Sequence, residues 1–268
     1  MEKKILFNKF DSLESFSRWL QVTPQTEKGK ELSRSTVISP KRTKFTGTKS
    51  FEVADNLLKF GDKENADKIN AAIRKIKAQG KGNETRNKLY NSPCGFMPIV
   101  PKVLAGDPQN MLAIRKQTYN STKVLNVVYN VSIECGITVE EIIETAAKVA
   151  NVIASLEKNG YRINLYAYDC GEGEKNTIST LLIKIKDSGK YMDTLRIAYP
   201  IINPSFLRRH IFAYYERLEG YGLDWYYSAI VSDKEAESYL PIKAKYLSFY
   251  NCNGKTEQEI IKMIESAK

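Results

Sequence analysis

Residues 123–169 carry the pattern that most restricts the fold. VLNVVYNVSI (124–133) is β-branched and almost continuously apolar, as in a strand buried on both faces. GITVEEIIETAAKVANVIASLEKNG follows. Thr138 and Glu141 form a T-x-x-E capping box, and Ile142, Ala146, Val149, Ile153 and Leu156 recur at helical spacing. Gly160 sits where a helix commonly ends in the left-handed conformation. YRINLYAYD (161–169) is a second strand. Two strands joined by one helix predict a right-handed βαβ unit with adjacent parallel strands. The predicted fold class is α/β, with a largely parallel central sheet flanked by helices from about residue 117 onward.

The flanking segments are punctuated clearly. DSLESFSRWLQ is a short helix with Asp11 as cap and Glu14 three residues on. Residues 23–49 form a polar arm, rich in Ser, Thr and Lys. Ser50 caps a helix that Gly61 ends, and residues 63–78 continue as a second, with Ala66, Ile69, Ile73 and Ile76 on one face. NSPCGFMPIVPKVLAGDP holds four prolines and is expected to be extended and looped. STLLIKIKDSGK is a strand with a turn at Asp187–Gly189, and LRIAYPII and WYYSAIV read as further strands. In NPSFLRRHIFAYYERLEG, Asn203 and Pro204 start a helix whose apolar stripe is Leu207, Ile211, Tyr214 and Leu218, with Arg208 and Arg209 off it. Thr256 and Glu259 box the start of a terminal helix. The expected division is a basic, helical and irregular region over 1–116 and an α/β core over 117–268.

Charge is the next constraint. Residues 1–116 carry 23 Lys/Arg against 12 Asp/Glu, and residues 117–268 carry 18 against 19. The net +10 therefore belongs to the first part of the chain, as for a polyanionic partner. The competing reading is a solvated basic face. The cations cluster twice, as Lys28, Lys30, Arg34, Lys41, Arg42, Lys44 and Lys49, and as Arg74, Lys75, Lys77, Lys81, Arg86 and Lys88. Phe45 and Tyr90 lie close by in sequence, and bases stack on such rings. Cationic loops that meet phosphates make nucleic acid the expected partner.

Catalytic and metal signatures are sparse. Cys94, Cys135, Cys170 and Cys252 have no zinc-site spacing and read as reduced, cytoplasmic thiols. No apolar run is long enough for a leader or a membrane span. His210, the only histidine, is expected to pack or hydrogen-bond beside the apolar stripe, with a Cys–His or Ser–His pair as the alternative. DCGEGE (169–174) is expected to be a solvated turn, with an acidic metal loop as the alternative. At the carboxyl ends of the two parallel strands, Ser132, Glu134 and Asp169 are expected to gather as ordinary polar residues of a strand end, with a weak Mg²⁺ or Ca²⁺ site as the alternative. No other cofactor is expected.

The first strand and its helix resemble the start of a von Willebrand factor A domain. That family binds a metal through D-x-S-x-S, and the matching positions here are Asn130, Ser132 and Glu134. FTGTKSFEVADNLLKFG, VPKVLAGDPQNM, LEKNGYRINLYA and NPSFLRRHIF together resemble an uncharacterised family of tailed-bacteriophage proteins. One departure is Asn203 before Pro204, where that family would have histidine. The resemblance implies a phage protein in the bacterial host cytoplasm, with phage or host replication or transcription proteins as partners. The expected function is non-enzymatic binding of nucleic acid, most readily single-stranded DNA. The alternatives are a von Willebrand A-like protein-interaction module, metal-assisted or not, and a metal-dependent enzyme acting on phosphates.

Overall fold

A computed structural model describes residues 3–36, 46–79, 88–115, 123–134, 136–224, 227 and 229–266. The βαβ unit forms as predicted. β5 (Val124–Asn130) and β6 (Arg162–Glu172) are adjacent and parallel, with Val127 opposite Leu165. α6 (Val139–Lys158) joins them, its capping box closed reciprocally by Thr138 and Glu141. Gly160 has φ +92°, which a side chain would strain.

The central sheet is larger than the region after residue 117. β1 (Lys4–Phe10) pairs parallel with β7 (Thr177–Lys186), although the segment was expected to belong to a helical and irregular region. β9 (Lys245–Ser248) pairs parallel with β5, and β7 runs antiparallel to β6. The strand order is β1-β7-β6-β5-β9, with the short β8 (Ala229–Ile230) beside β6. DCGE therefore continues β6 instead of turning in solvent, because Cys170, Gly171 and Glu172 pair with Thr180, Ser179 and Ile178.

Helices crowd one face of this sheet. α1 (Leu13–Val22), α3 (Phe51–Phe60), α4 (Lys63–Gln79), α6 and α10 (Glu257–Ser266) contribute Phe16, Leu58, Ile69, Ile153 and Ile260 to one core with Val127 and Tyr129. A smaller core under α9 (Asp233–Ser238) covers the other face, with Val128, Tyr168 and Tyr246. The alternation of Val127, Val128 and Tyr129 between two cores is why β5 is apolar throughout. α1 is capped by Ser12 with Ser15, one residue after the expected Asp11. Ser50 and Gly61 bracket α3 as expected. Ile73 and Ile76 lie in α4, but their side chains fall outside the described residues. The polar arm contains a short helix, α2 (Glu27–Leu32). Among the described residues no helix is long and apolar enough to cross a membrane.

Two segments depart from expectation near residue 200. LRIAYPII is α7 (Thr194–Ile202), not a strand. Asp193 caps it through the Leu195 N–H, and packing against α4 overrides its β-branched composition. The next helix opens as a π-helix (Phe206–Ile211) before α8 (Phe212–Tyr215). Asn203 caps its entry, accepting from the Ser205 N–H at 3.0 Å. A π turn bonds i to i+5, so residues four apart no longer share one face. Leu207 is accordingly only partly buried, while Arg208 and Arg209, expected off the stripe, are inside.

A second, antiparallel sheet stands apart from both cores. It has the order β2 (Lys88–Ser92), β4 (Met111–Arg115), β3 (Met97–Pro98), with α5 (Val100–Leu104) between β3 and β4. The proline-rich segment, expected to be extended and looped, is extended in β3 but also forms α5, with Pro101 in the first turn, where its missing N–H costs nothing.

Burial ranks two truncations on the π-helix. Ile211→Ala should lower unfolding free energy by roughly 2–5 kcal/mol, the range for buried aliphatic deletions. Leu207→Ala should cost less. Urea denaturation of both variants measures the difference, and equal losses would contradict the π register.

Candidate functional site

Parallel strands open their carboxyl ends to ligands, so that edge is the first place to look. Asn130 ends β5, Asp169 lies one residue past the partner of Asn130 on β6, and Ser248 ends β9. Their side chains join one hydrogen-bonded chain. Tyr215 and Ser132 each donate a hydroxyl to Asp169, the latter to Oδ1 at 2.6 Å. Asn130 Oδ1 accepts from the Ser132 N–H at 2.9 Å, and Asn130 Nδ2 donates to the Tyr246 hydroxyl at 2.7 Å. Tyr246 and Ser248 donate to the two oxygens of Asp233, at 2.9 and 2.6 Å. The chain crosses the sheet edge from the large core, where Tyr215 sits, to the small one, where Tyr246 sits.

Ser132 and Asp169 therefore meet as expected, but Glu134 stands apart. Its side chain is exposed, and its backbone N–H donates to the Tyr250 hydroxyl. The donor set does not fit a cation. Both Asp169 oxygens already accept from hydroxyls, and Ser132 spends its proton there. Among the described residues no three His, Cys, Asp or Glu side chains come close enough to share a metal. Burial pushes the Asp169 carboxyl above its ordinary range, against the two hydroxyl bonds. The adjoining cavity, lined by Tyr129, Ile142, Ile202 and Arg208, measures about 20 Å³. That is room for about one water, against at least ~300 Å³ for small-molecule sites.

The nucleophile candidates are equally occupied. Burial raises the Cys170 thiol to about 12 and the Cys252 thiol to about 11, so neither supplies a thiolate at neutral pH. His210 is fully buried against Phe51 and Phe206. Its Nδ1 lies 2.7 Å from the Tyr199 hydroxyl and its Nε2 3.9 Å from Asp55 Oδ1. It packs and hydrogen-bonds as expected, bracing the π-helix against α3 and α7.

A second buried network holds the polar arm. Glu216, fully buried, accepts from Gln25 Nε2, the Ser35 N–H and hydroxyl, and the Tyr227 hydroxyl, at 2.6–2.9 Å. Gly29 lies so close to the Glu216 carbonyl that any Cβ would overlap it. Arg209 donates to the carbonyls of Ser35 and Thr48, at 2.8 and 3.1 Å. The residues on either side of segment 37–45 are thus tied to one guanidinium. The periodicity of a regular helix could not reveal this, because the π turn carries Arg209 inward.

The predicted cations fall into three groups. Lys28 and Lys30 pair with Glu31 and Glu27 on their own helix, and Arg34 lies over the Tyr227 ring. Lys49 and Arg74 are exposed. Lys41, Arg42, Lys44, Lys81 and Arg86 lie outside the described residues, as do the side chains of Lys75, Lys77 and Lys88. The two clusters are therefore not brought onto one surface by any described contact.

His210 makes stability pH-dependent. Burial lowers its folded pKa, opposed by Asp55. The unfolded state then binds the proton more readily, so His210 contributes stability above its unfolded pKa of about 6.5, lost as pH falls toward the folded value. His210→Gln should flatten the acid limb of a plot of Tm against pH. In the other network, Arg209→Met should destabilise by about 1–3 kcal/mol for each carbonyl left without a donor, measured by denaturation.

Comparison with curated proteins and with solved structures finds no match. Residues 1–266 match one family along almost the whole chain, and the chain belongs to that family, described as Domain of unknown function (DUF7192).

Proposed function

We propose that this protein binds single-stranded nucleic acid, without catalysing a reaction on it, through its two basic clusters, residues 28–49 and 74–88 together. The observation that carries the reading is the charge distribution: the surplus of cations lies wholly before residue 117. A polyanion meets such a surface by releasing its condensed counterions. The saturated carboxyl edge supports a binding role over a chemical one, since Ser132 and Asp169 are spent on each other. Lys41, Arg42 and Lys44 lie in sequence between Ser35 and Thr48, whose carbonyls Arg209 holds. The pairing of Lys28 and Lys30 with glutamates moves the burden toward Lys41–Lys49 and Arg74–Lys88. A phage protein acting in replication or transcription within the host cytoplasm is the setting that fits this activity.

The salt dependence of binding tests it. Fluorescence anisotropy with a labelled oligothymidylate should give log K falling with log salt by about 0.7 per neutralised phosphate. Engagement of about four to six phosphates gives a slope near −3 to −4. Replacing Lys41, Arg42 and Lys44 together by Ser should weaken binding to every sequence and flatten the slope. Absence of binding at low salt would sink the reading.

A further inference from the structure

The two edges of the central sheet differ. β9, at one edge, is short, and its Tyr246, Leu247 and Ser248 are buried. β1, at the other, runs for 7 residues and among the described strands pairs only with β7. Such an edge strand turns about half of its backbone N–H and C=O groups outward, unpaired, as a template for another strand. Its side chains divide between two faces. Leu6 and Phe10 pack on the large core, and Asn8 Nδ2 donates to the Tyr214 hydroxyl at 2.9 Å. Ile5 and Phe7 lie on the opposite face, Ile5 beside Ile178 of the small core. Both stay exposed, by 51% and 44%. Charge or a covering element commonly blunts a free edge. Here Lys4 and Lys9 stand toward the ends of the strand, and residues 5–8 between them carry no charge.

Symmetry and charge select the occupant. When two copies of β1 meet edge to edge, their two-fold axis stands perpendicular to the sheet and the strands run antiparallel. Each face then continues into its counterpart, and residues directly opposite share a face. An odd position therefore meets an odd one and an even position an even one. Centring on Phe7 pairs the whole strand: Lys4 meets Phe10, Ile5 meets Lys9, Leu6 meets Asn8, and Phe7 meets its own copy. No like charges are opposed in this register, and Lys9 has Asp11 of its own chain at 3.6 Å. Centring on Leu6 would set Lys3 against Lys9, and centring on Asn8 would run Lys4 and Ile5 past the end of the strand. The edge is thus complementary to itself in one full-length register.

We propose that β1 is a self-association edge, through which two copies of the chain join antiparallel into one continuous sheet. Backbone hydrogen bonds between the two strands hold the join, and Phe7 against Phe7 gives it an aromatic centre, a favoured cross-strand pair. The paired edge removes the unpaired backbone groups from water and covers Ile5 and Phe7. Each copy carries a net charge of +10, so salt screens their repulsion and favours the dimer. Salt has the opposite effect on the binding of a polyanion. The dimer requires no nucleic acid.

Sedimentation velocity on the full chain, free of nucleic acid, compares wild type with the Ile5→Lys, Phe7→Lys double variant. Wild type should form a dimer at micromolar concentration, more tightly as salt rises. The variant sets like charges along the join and should weaken the dimer by roughly tenfold or more. Both side chains are exposed, so its circular dichroism should match wild type. A second pair of variants reads the register, with Cys94 and Cys135 replaced by Ser and Cys170 and Cys252 left buried. Phe7→Cys should crosslink to its own copy on mild oxidation, since opposed Cβ atoms lie about 4.5–5.5 Å apart, a slight shift from disulfide distance. Ile5→Cys should not, because about four residues of strand, roughly 13 Å, separate it from its copy. If the lysine variant fails to fold, the cysteine pair decides alone. A wild type that stays monomeric, a dimer that the lysine variant keeps, or Ile5→Cys crosslinking as readily as Phe7→Cys would overturn the proposal. So would a monomer that takes up an acidic peptide as an added strand on β1, which would give the edge to another partner. None of these outcomes alters the oligothymidylate test of the nucleic-acid reading.

Discussion

β5 lies between two parallel partners, and a parallel pair cannot be closed by a hairpin. Each neighbour has to be reached by a crossover, and both faces of the strand have to be covered. α6 makes the crossover to β6, and its Val149 and Ile153 meet Val127 and Tyr129 in the large core. Val128, between them in sequence, needs a cover on the opposite face, which the stretch around Ala236 and Tyr246 supplies. The remaining strands extend outward from this centre, with β7 turning antiparallel to β6 and β1 joining parallel to β7.

The same geometry leaves polar groups at the carboxyl edge that must be satisfied away from water. A buried carboxyl is costly unless it is hydrogen-bonded. Asp169 and Asp233 each accept from two hydroxyls, and Asn130 bridges the two sets through Ser132 and Tyr246. A parallel-sheet edge that hosts chemistry keeps donors and acceptors free for a ligand. Here they are spent internally, and the edge acts as a structural bond between the two faces.

Local signals were strong wherever one residue type has one conformational job. Thr138 with Glu141, Thr256 with Glu259, Ser50 and Gly61 each marked a helix end that the structure keeps. Ser132 and Asp169 were legible as neighbours because strand ends in a βαβ unit align. Glu134 was not, since past the end of a strand the period of two no longer fixes direction. Thr194–Ile202 misled because its β-branched residues suit a strand by propensity, while the Asp193 cap and packing on α4 decide for helix. Residues 4–10 were too short and charged to announce a strand until β7 offered an edge.

The sequence by itself determined the βαβ unit, the helix caps and the separation of charge, because these depend on neighbours within a few residues or on composition alone. Tertiary structure decided where the arginines of the π-helix point, which strand β1 joins, and that residues 88–115 stand outside both cores. Those outcomes depend on partners far along the chain. Arg209 meets Ser35 and Thr48 across more than 160 residues, and no local pattern records that contact. The physical reason is that burial is a property of the assembled surface. A cation becomes a core residue, or an apolar strand stays exposed, only when the rest of the chain supplies or withholds the surface to cover it.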